Sequence, residues 1–594
     1  MAEISASAST SASTPSQDYH PAIDPATFDL VVSGTGLPES LLAAAAAAAG
    51  KSVLHLDPNP FYGSHFASIP LPSFSSLLSP SYSSPSPHSS AASTPSYDAI
   101  DLHRRPIYSE IETSGSPPEP SRSFLVDLAG PRVLYCADAA VDLLLRSGAS
   151  HHVEFKSVDA SLVYWEGRLS TVPDSRQAIF KDRTLSLAEK SQMMRFLKLV
   201  QGHIASDRGG AADEGLGRIS EEDLLIPFVE FLRKQRLPPK IRAIILYAIA
   251  MADYDQEIVE SNKLVTTKEG VETIALYSSS IGRFTNSVGA FLYPMYGHGE
   301  LPQAFCRCAA VKGALYVLRM PVVSLLIDRE KSEYVGVRLA SGQDIFSSQL
   351  VMEPSCQVPP SLSLSEDLNT SSSTGNVARG VCITSSSLER DSSSVLVVFP
   401  PKCENCFLFF INISSHTGTF VCQLFHLIIR AFCYMPVKSI ACVFAVALYS
   451  EQLTTIRVLQ LSSNVAVCPP GLFMVYLSTP CNDAIIGKDY IKAAIHALFA
   501  TNTLGSSEGS VEPNTEDKES ETRPTVLWSC VYVQELAQGS FGPVCLSTLP
   551  DEHVDYRNII ESTKELFSKM YSQAEFLPQT SEPGDIEDDN GSAE

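Results

Sequence analysis

Residues 28–36 read Phe28-Asp29-Leu30-Val31-Val32-Ser33-Gly34-Thr35-Gly36, an apolar strand running into a tight Gly-x-Gly turn. A second apolar run, Ser52-Val53-Leu54-His55-Leu56-Asp57, ends in an acid. That spacing suits a dinucleotide. The glycines let the backbone approach a pyrophosphate, the helix N-terminus stabilises its charge, and the acid binds a ribose. Where the third glycine belongs, the chain has Glu39. A carboxylate there crowds the helix–strand contact and repels phosphate. Gly34, Gly36, Glu39 and Asp57 therefore read as a vestigial nucleotide fingerprint, and fold and function are separable from the start.

No other cluster points to catalysis or metal. Cys403-x-x-Cys406 has no second pair at zinc spacing, so no metal is expected. The 14 cysteines are scattered rather than framed, which suits a reducing compartment. A net charge of −23 argues against nucleic acid, whose phosphates need clustered Lys and Arg. It is compatible with a basic protein partner. Met1–Gln17 is Ser/Ala/Thr-rich with no basic or apolar block, so neither a secretory signal nor a transit peptide is expected. The C-terminus has no prenylation box.

These motifs need a scaffold. With 594 residues and 44% hydrophobic content, more than one core is expected. Residues 1–26 read as a disordered leader, and 27–68 with 122–182 as the first part of a sheet domain. Between them, 69–121 is Ser/Pro-rich and is expected to be a mobile insert without a core. Residues 183–282 read as helical. Ser220 and Asp223 form a capping pattern. Leu224, Phe228, Phe231 and Leu232 then make one stripe, and Ile241, Ile244, Ile245, Ala248 and Ile249 a second beyond Pro238-Pro239. The sheet resumes over 283–402 and 452–502, with strands at Ala314–Leu318 and Tyr334–Leu339. A polar linker at 503–524, a final strand and helix over 525–577 and an acidic disordered tail at 578–594 complete the chain.

Residues 403–451 do not match their surroundings. Cys403–Tyr449 contains three charged residues, Glu404, Arg430 and Lys438, and five of the 14 cysteines. Its apolar runs are short and interrupted for a membrane span. The composition shift reads as translated non-coding sequence, with a membrane-touching or buried insertion as the alternatives.

Three blocks together resemble the family of Rab escort proteins and Rab GDP-dissociation inhibitors. The first joins Gly34–Ser40 to Leu54-His55-Leu56-Asp57-Pro58-Asn59-Pro60-Phe61-Tyr62-Gly63. The second runs from Val126-Asp127-Leu128 to Val153-Glu154-Phe155-Lys156. The third is Phe291–Arg307, containing Tyr296-Gly297-His298-Gly299-Glu300-Leu301-Pro302-Gln303. The length, the insert after the first βαβ unit and the extension through Val526-Leu527-Trp528 are more similar to the escort branch.

The resemblance implies an α/β fold: a FAD-type, Rossmann-like βαβ sheet domain without cofactor, a smaller all-helical domain, and disordered inserts and tails. It implies a non-catalytic accessory role. The partners would be GDP-bound Rab GTPases, unprenylated and prenylated, the Rab geranylgeranyltransferase alpha/beta heterodimer and the geranylgeranyl lipid on Rab. Transient membrane contact and a cytoplasmic location follow, with no nucleic acid. Carried residue by residue, the Rab-binding face falls on Tyr62, Glu300, Gln303 and Arg307, and the mobile loop that holds the Rab tail on Arg283 and Phe284. A helix bearing Ile244 and Ile245 would face the transferase. The lipid pocket would lie among the helices of 183–282, whose apolar stripes read equally well as core. A dissociation inhibitor that recycles prenylated Rabs is the nearest alternative, and a flavin-dependent oxidoreductase a more distant one.

Overall fold

The computed structural model describes residues 22–78, 96–207, 218–258, 263–358, 375–402, 452–501 and 523–579. Most of the leader, the 403–451 segment, most of the 503–524 linker and the acidic tail from residue 580 lie outside them.

The first sheet is built around a parallel core. Strand β1 (Thr27–Ser33) feeds helix α1 (Leu37–Ala48), which returns to β2 (Val53–Asp57). β1 pairs in parallel with β2 on one side and with a late strand, Asp344–Met352, on the other. All of Val53–Asp57 is buried, as expected for a strand covered on both faces. Helix α2 (Glu300–Val311) and strand β3 (Leu315–Leu318) complete this half, with β3 parallel to β2. Asp344–Met352 is β4. Antiparallel strands Tyr334–Leu339 and Val322–Asp328 extend the sheet beyond it.

The second, nine-stranded sheet assembles sequence-distant pieces. Its middle strands are Val395–Phe399, Ile456–Ser462, Phe473–Cys481, Asn376–Thr384 and Thr525–Glu535. Helix α3 (Arg557–Met570) packs against α1 and carries Ile559, Leu566 and Phe567 into the core beneath the first sheet. All nine cysteines among the described residues are free.

The stretch 69–121 departs from its expected character. Leu71–Leu78 is a helix, with Leu71, Phe74 and Leu78 buried at i, i+3 and i+7. Tyr97–Asp101 adds an edge strand to the first sheet, and Tyr108–Gly115 pairs with Thr525–Glu535 in the second. An average over Ser and Pro hides these short periodic ends; only 79–95 lies outside the described residues.

Helices cluster between Arg176 and Ser280. The stripe from Leu224 to Leu232 forms two helices, Glu221–Leu225 and Phe228–Lys234, because Pro227 separates them. Ser220 caps the first by accepting from the Asp223 N–H. Thr266 and Glu269 form a full capping box at the start of Thr267–Ser280.

Candidate functional site

The nucleotide turn is closed by its own side chains. Glu39 sits in the first turn of α1, 3% exposed. Its carboxyl bends back over the helix N-terminus, where a Cβ on Gly36 would collide with it. Ser547 donates its hydroxyl to the same carboxyl. Burial pushes the Glu39 pKa up to about 8. The place where a helix would hold a phosphate is thus taken by a side chain of that helix.

Asp57, the expected ribose acid, is fully buried and fully engaged. Its Oδ2 accepts from the Thr35 N–H at 2.8 Å, the Thr35 hydroxyl at 2.6 Å and the Ser64 hydroxyl at 2.8 Å. Its Oδ1 accepts from the Asn59 N–H at 2.7 Å. A third acid, Glu353, follows β4 and lies beside Gly34. Burial works to raise its pKa, but Arg104, whose Nη1 is 2.8 Å away, and His65 outweigh that and hold it low. Burial in turn lowers the pKa of His65. A side chain across the helix N-terminus and an Asp57 already engaged within the chain do not fit a dinucleotide, which needs both free. Sequence reasoning missed Glu353, because its place depends on β4 pairing with β1 far along the chain.

The second and third sequence blocks meet at Asp127. It accepts from the Tyr293 hydroxyl at 2.6 Å and the His298 N–H at 3.0 Å, and also from Ser68. Gly297, at φ 101°, leaves no room for a side chain, since a Cβ would strike Ser68 and Asp127. The Tyr-Gly-x-Gly run is therefore a tight turn that seats the start of α2 against Ser68.

Helix α2 then divides into two faces. Leu301, Ala304, Phe305, Cys308 and Ala309 are buried, mainly against α1. Burying Leu301 and Phe305 contributes about 2 kcal/mol each. Glu300, Gln303 and Arg307 fall at i, i+3 and i+7 on the other face, with Arg307 exposed. Burial raises the Tyr62 pKa, and the Arg307 charge lies close enough to offset part of that rise. Its ring centroid is 6.2 Å from that of Tyr316. Burial likewise raises the Glu300 pKa, and Arg307 opposes it. The structure thus brings all four residues together. It adds His152, whose pKa is lowered by burial and then by Arg307. No sequence motif marks His152; it arrives on the short helix Ala149–His152, packed on α2. The face offers a planar guanidinium fork, a carboxyl, an amide and an amphipathic ring, a set suited to contact with a protein surface.

Phe284 packs against the cluster that holds the buried side of α2. The Arg283 Nη2 donates to Asp142 at 2.6 Å, and its guanidinium lies 5.7 Å from the Phe284 ring centre. Ile244 and Ile245 require a correction. Both are in a π-helix, Ile244–Ile249, whose six residues are all buried. Ile244 is 1% exposed and Ile245 0%, so neither can face a partner. The stripes of this region are core, with Phe228, Phe231 and Ile241 packed in one cluster.

Among the described residues no group of His, Cys, Asp and Glu could hold a metal ion. Nor is any helix there long and apolar enough to cross a membrane.

Comparison with known proteins gives a consistent result. The family model described as "GDP dissociation inhibitor" matches residues 24–89 and 91–429, and that of "RAE1/2 domain I, C-terminal region" matches 436–542. Rab escort protein 1 of Arabidopsis thaliana is 45% identical over 590 residues, 95% of this chain and 96% of the relative. Rab proteins geranylgeranyltransferase component A of Drosophila melanogaster is 28% identical, over 95% and 92%. Among solved structures, a Rab GDI from Plasmodium falciparum superposes with a TM-score of 0.60 at 17% identity, covering 92% of this chain and 99% of that one. This last likeness supports the fold.

Proposed function

Because the chain belongs to the GDP dissociation inhibitor family, and within it to the Rab escort proteins, we propose that it is a non-catalytic accessory subunit of Rab geranylgeranyltransferase. It binds newly made, GDP-bound Rab GTPases, presents them to the alpha/beta heterodimer, shields the geranylgeranyl lipid and delivers the prenylated Rab to membranes. It works from the cytosol.

One observation carries the Rab-binding assignment. Glu300, Gln303 and Arg307 share the outer face of α2, and the Tyr62 ring lies beside them. Arg and Tyr are the residue types that dominate binding energy at protein interfaces. The rigid seating of α2 on Asp127 presents them without a large ordering cost.

The sheet domain carries no flavin in this reading. Glu39 fills the helix N-terminus, and Asp57 is saturated within the chain. A visible absorbance scan tests this, because a bound flavin would give a band near about 450 nm.

Reconstituted geranylgeranylation tests the function. Rab, the transferase heterodimer and geranylgeranyl diphosphate are combined with and without this chain. Lipid transfer that requires the chain supports the escort role. Transfer unaffected by the chain, with extraction of prenylated Rab from membranes, would establish a dissociation inhibitor in its place.

A further inference from the structure

A cavity of about 220 Å³ lies beyond the closed nucleotide turn, and none of Gly34, Glu39 and Asp57 lines it. It sits past the carboxyl ends of β2 and β4, the two strands parallel to β1, on the edge where sheets of this kind hold ligands. Asn59, His65, Glu353 and Ser355 wall it on the sheet side. The opposite wall comes wholly from the 69–121 stretch, through Leu77, Leu78 and residues 104–108. That wall is fixed by backbone pairing. His103–Arg104 runs antiparallel to Cys356–Gln357, and the Arg105 N–H donates to the Ser355 carbonyl at 2.9 Å.

Two cations and one anion face this space. Arg104 is committed to the buried Glu353, with its Nη1 2.8 Å from the carboxyl. Arg105 pairs with Glu535, outside the cavity; the two side chains are 28% and 30% exposed, so water and salt weaken that pair. With the Tyr108 hydroxyl donating to His65 Nδ1 at 3.2 Å, the ring proton sits on Nε2. The Nε2 atom is buried and has no hydrogen-bond partner, since the Glu353 carboxyl, 3.6 Å away, is too far to accept. Burial lowers the His65 pKa and keeps the ring neutral. The fold thus leaves a donor without an acceptor and a guanidinium loosely held, next to the apolar surface of Leu77, Leu78 and Ile107.

We propose that this cavity binds a small organic carboxylate, its carboxyl group held by the Arg105 guanidinium and the His65 Nε2–H and its carbon skeleton on Leu77, Leu78 and Ile107. The charges select this class. Arg104 and Glu353 cancel and His65 is neutral, so the lining carries one net positive charge, which a single carboxylate balances. A phosphate monoester, at about −1.5 to −2, exceeds it and meets the Glu353 carboxylate. The volume limits the ligand to a compact one, below the roughly 300–1,000 Å³ of drug-sized sites. The inference goes beyond the escort function and uses none of the residues of the Rab-binding face.

The test is calorimetric titration of the full chain with benzoate, with its uncharged isostere benzamide and with inorganic phosphate. Benzoate binds with a Kd of about 1 mM or tighter, within reach of a ligand of this size. Benzamide and phosphate each bind at least about tenfold more weakly. Arg105→Gln weakens benzoate at least about tenfold with an unchanged Tm, and Arg105→Lys recovers part of the loss. Arg329→Gln, at another exposed arginine paired with an acid, leaves benzoate binding as in the parent. Absence of benzoate binding, equal binding of benzamide, or an Arg105→Gln variant that binds benzoate like the parent overturns the proposal. Phosphate binding tighter than benzoate also overturns it, because that makes the cavity an inorganic oxyanion site.

Discussion

Ser547 donates its hydroxyl to the carboxyl of Glu39, tying the first helix of the chain to the short strand Val544–Leu546 and the segment that follows it. That strand pairs with β4, beside β1. The bond explains what replaced the third glycine of the fingerprint. Glu39 is an internal fastening between the nucleotide turn and the C-terminal part of the sheet domain.

Protonation of Glu39 sets a direction for stability against pH. Burial raises its folded pKa to about 8 from 4.5, so the folded state holds a proton that the unfolded chain loses. Through this group, stability falls as pH rises from about 4.5 to about 8, and the deficit is complete above that range. Glu39→Gln can still accept the Ser547 hydrogen bond and carries no charge. The variant is expected to match the parent near pH 4.5 and to exceed it at pH 8 by on the order of 4 kcal/mol. Urea unfolding at several pH values measures the gap. A gap that stays constant with pH contradicts the account.

Lys402 and Gln452 adjoin in space. The Lys402 N–H donates to the Gln452 carbonyl at 2.9 Å, extending the antiparallel pairing of Val395–Phe399 with Ile456–Ser462. The chain therefore leaves for residues 403–451 and returns at one point. Replacing that segment by a two-residue Asn-Gly turn is expected to keep cooperative unfolding, with Tm within a few degrees of the parent, about 1 kcal/mol or less. Loss of the folded state on deletion would show that the segment belongs to the core.

Ile244 tests whether the π-helix is core or contact. Ile244→Ala is expected to destabilise the chain by about 2–4 kcal/mol through the cavity it leaves. Affinity for the transferase, measured at a temperature where the variant is folded, is expected to remain within about twofold of the parent. A variant with unchanged stability and much weaker transferase binding would restore the exposed reading.

What the sequence discloses depends on how local each relationship is. The Gly34–Asp57 unit is readable because strand, turn and helix follow one another within a single βαβ segment. The outer face of α2 is readable because Glu300, Gln303 and Arg307 obey helical spacing, and the Tyr62 loop follows the acid of β2. Glu353 and Ser547 are not readable, since they reach the turn only through parallel pairing with strands far along the chain. Ile244 and Ile245 mislead because an apolar stripe does not say which of its sides meets a partner; here a π-turn buries every side. The 69–121 stretch misleads because its Ser and Pro content masks Leu71, Phe74 and Leu78 at helical spacing.

Arg307 is the residue on which the account turns. It is exposed on α2, and it is close enough to Glu300, Tyr62 and His152 to shift their titration. The most direct measurement is a titration of a GDP-bound, unprenylated Rab against the chain and its Arg307→Ala variant, with thermal unfolding of both followed in parallel. The account predicts equal Tm values and an affinity at least about tenfold weaker in the variant, the loss expected of a central interface arginine. Equal affinity in the two proteins would contradict it and remove this face of α2 from Rab recognition.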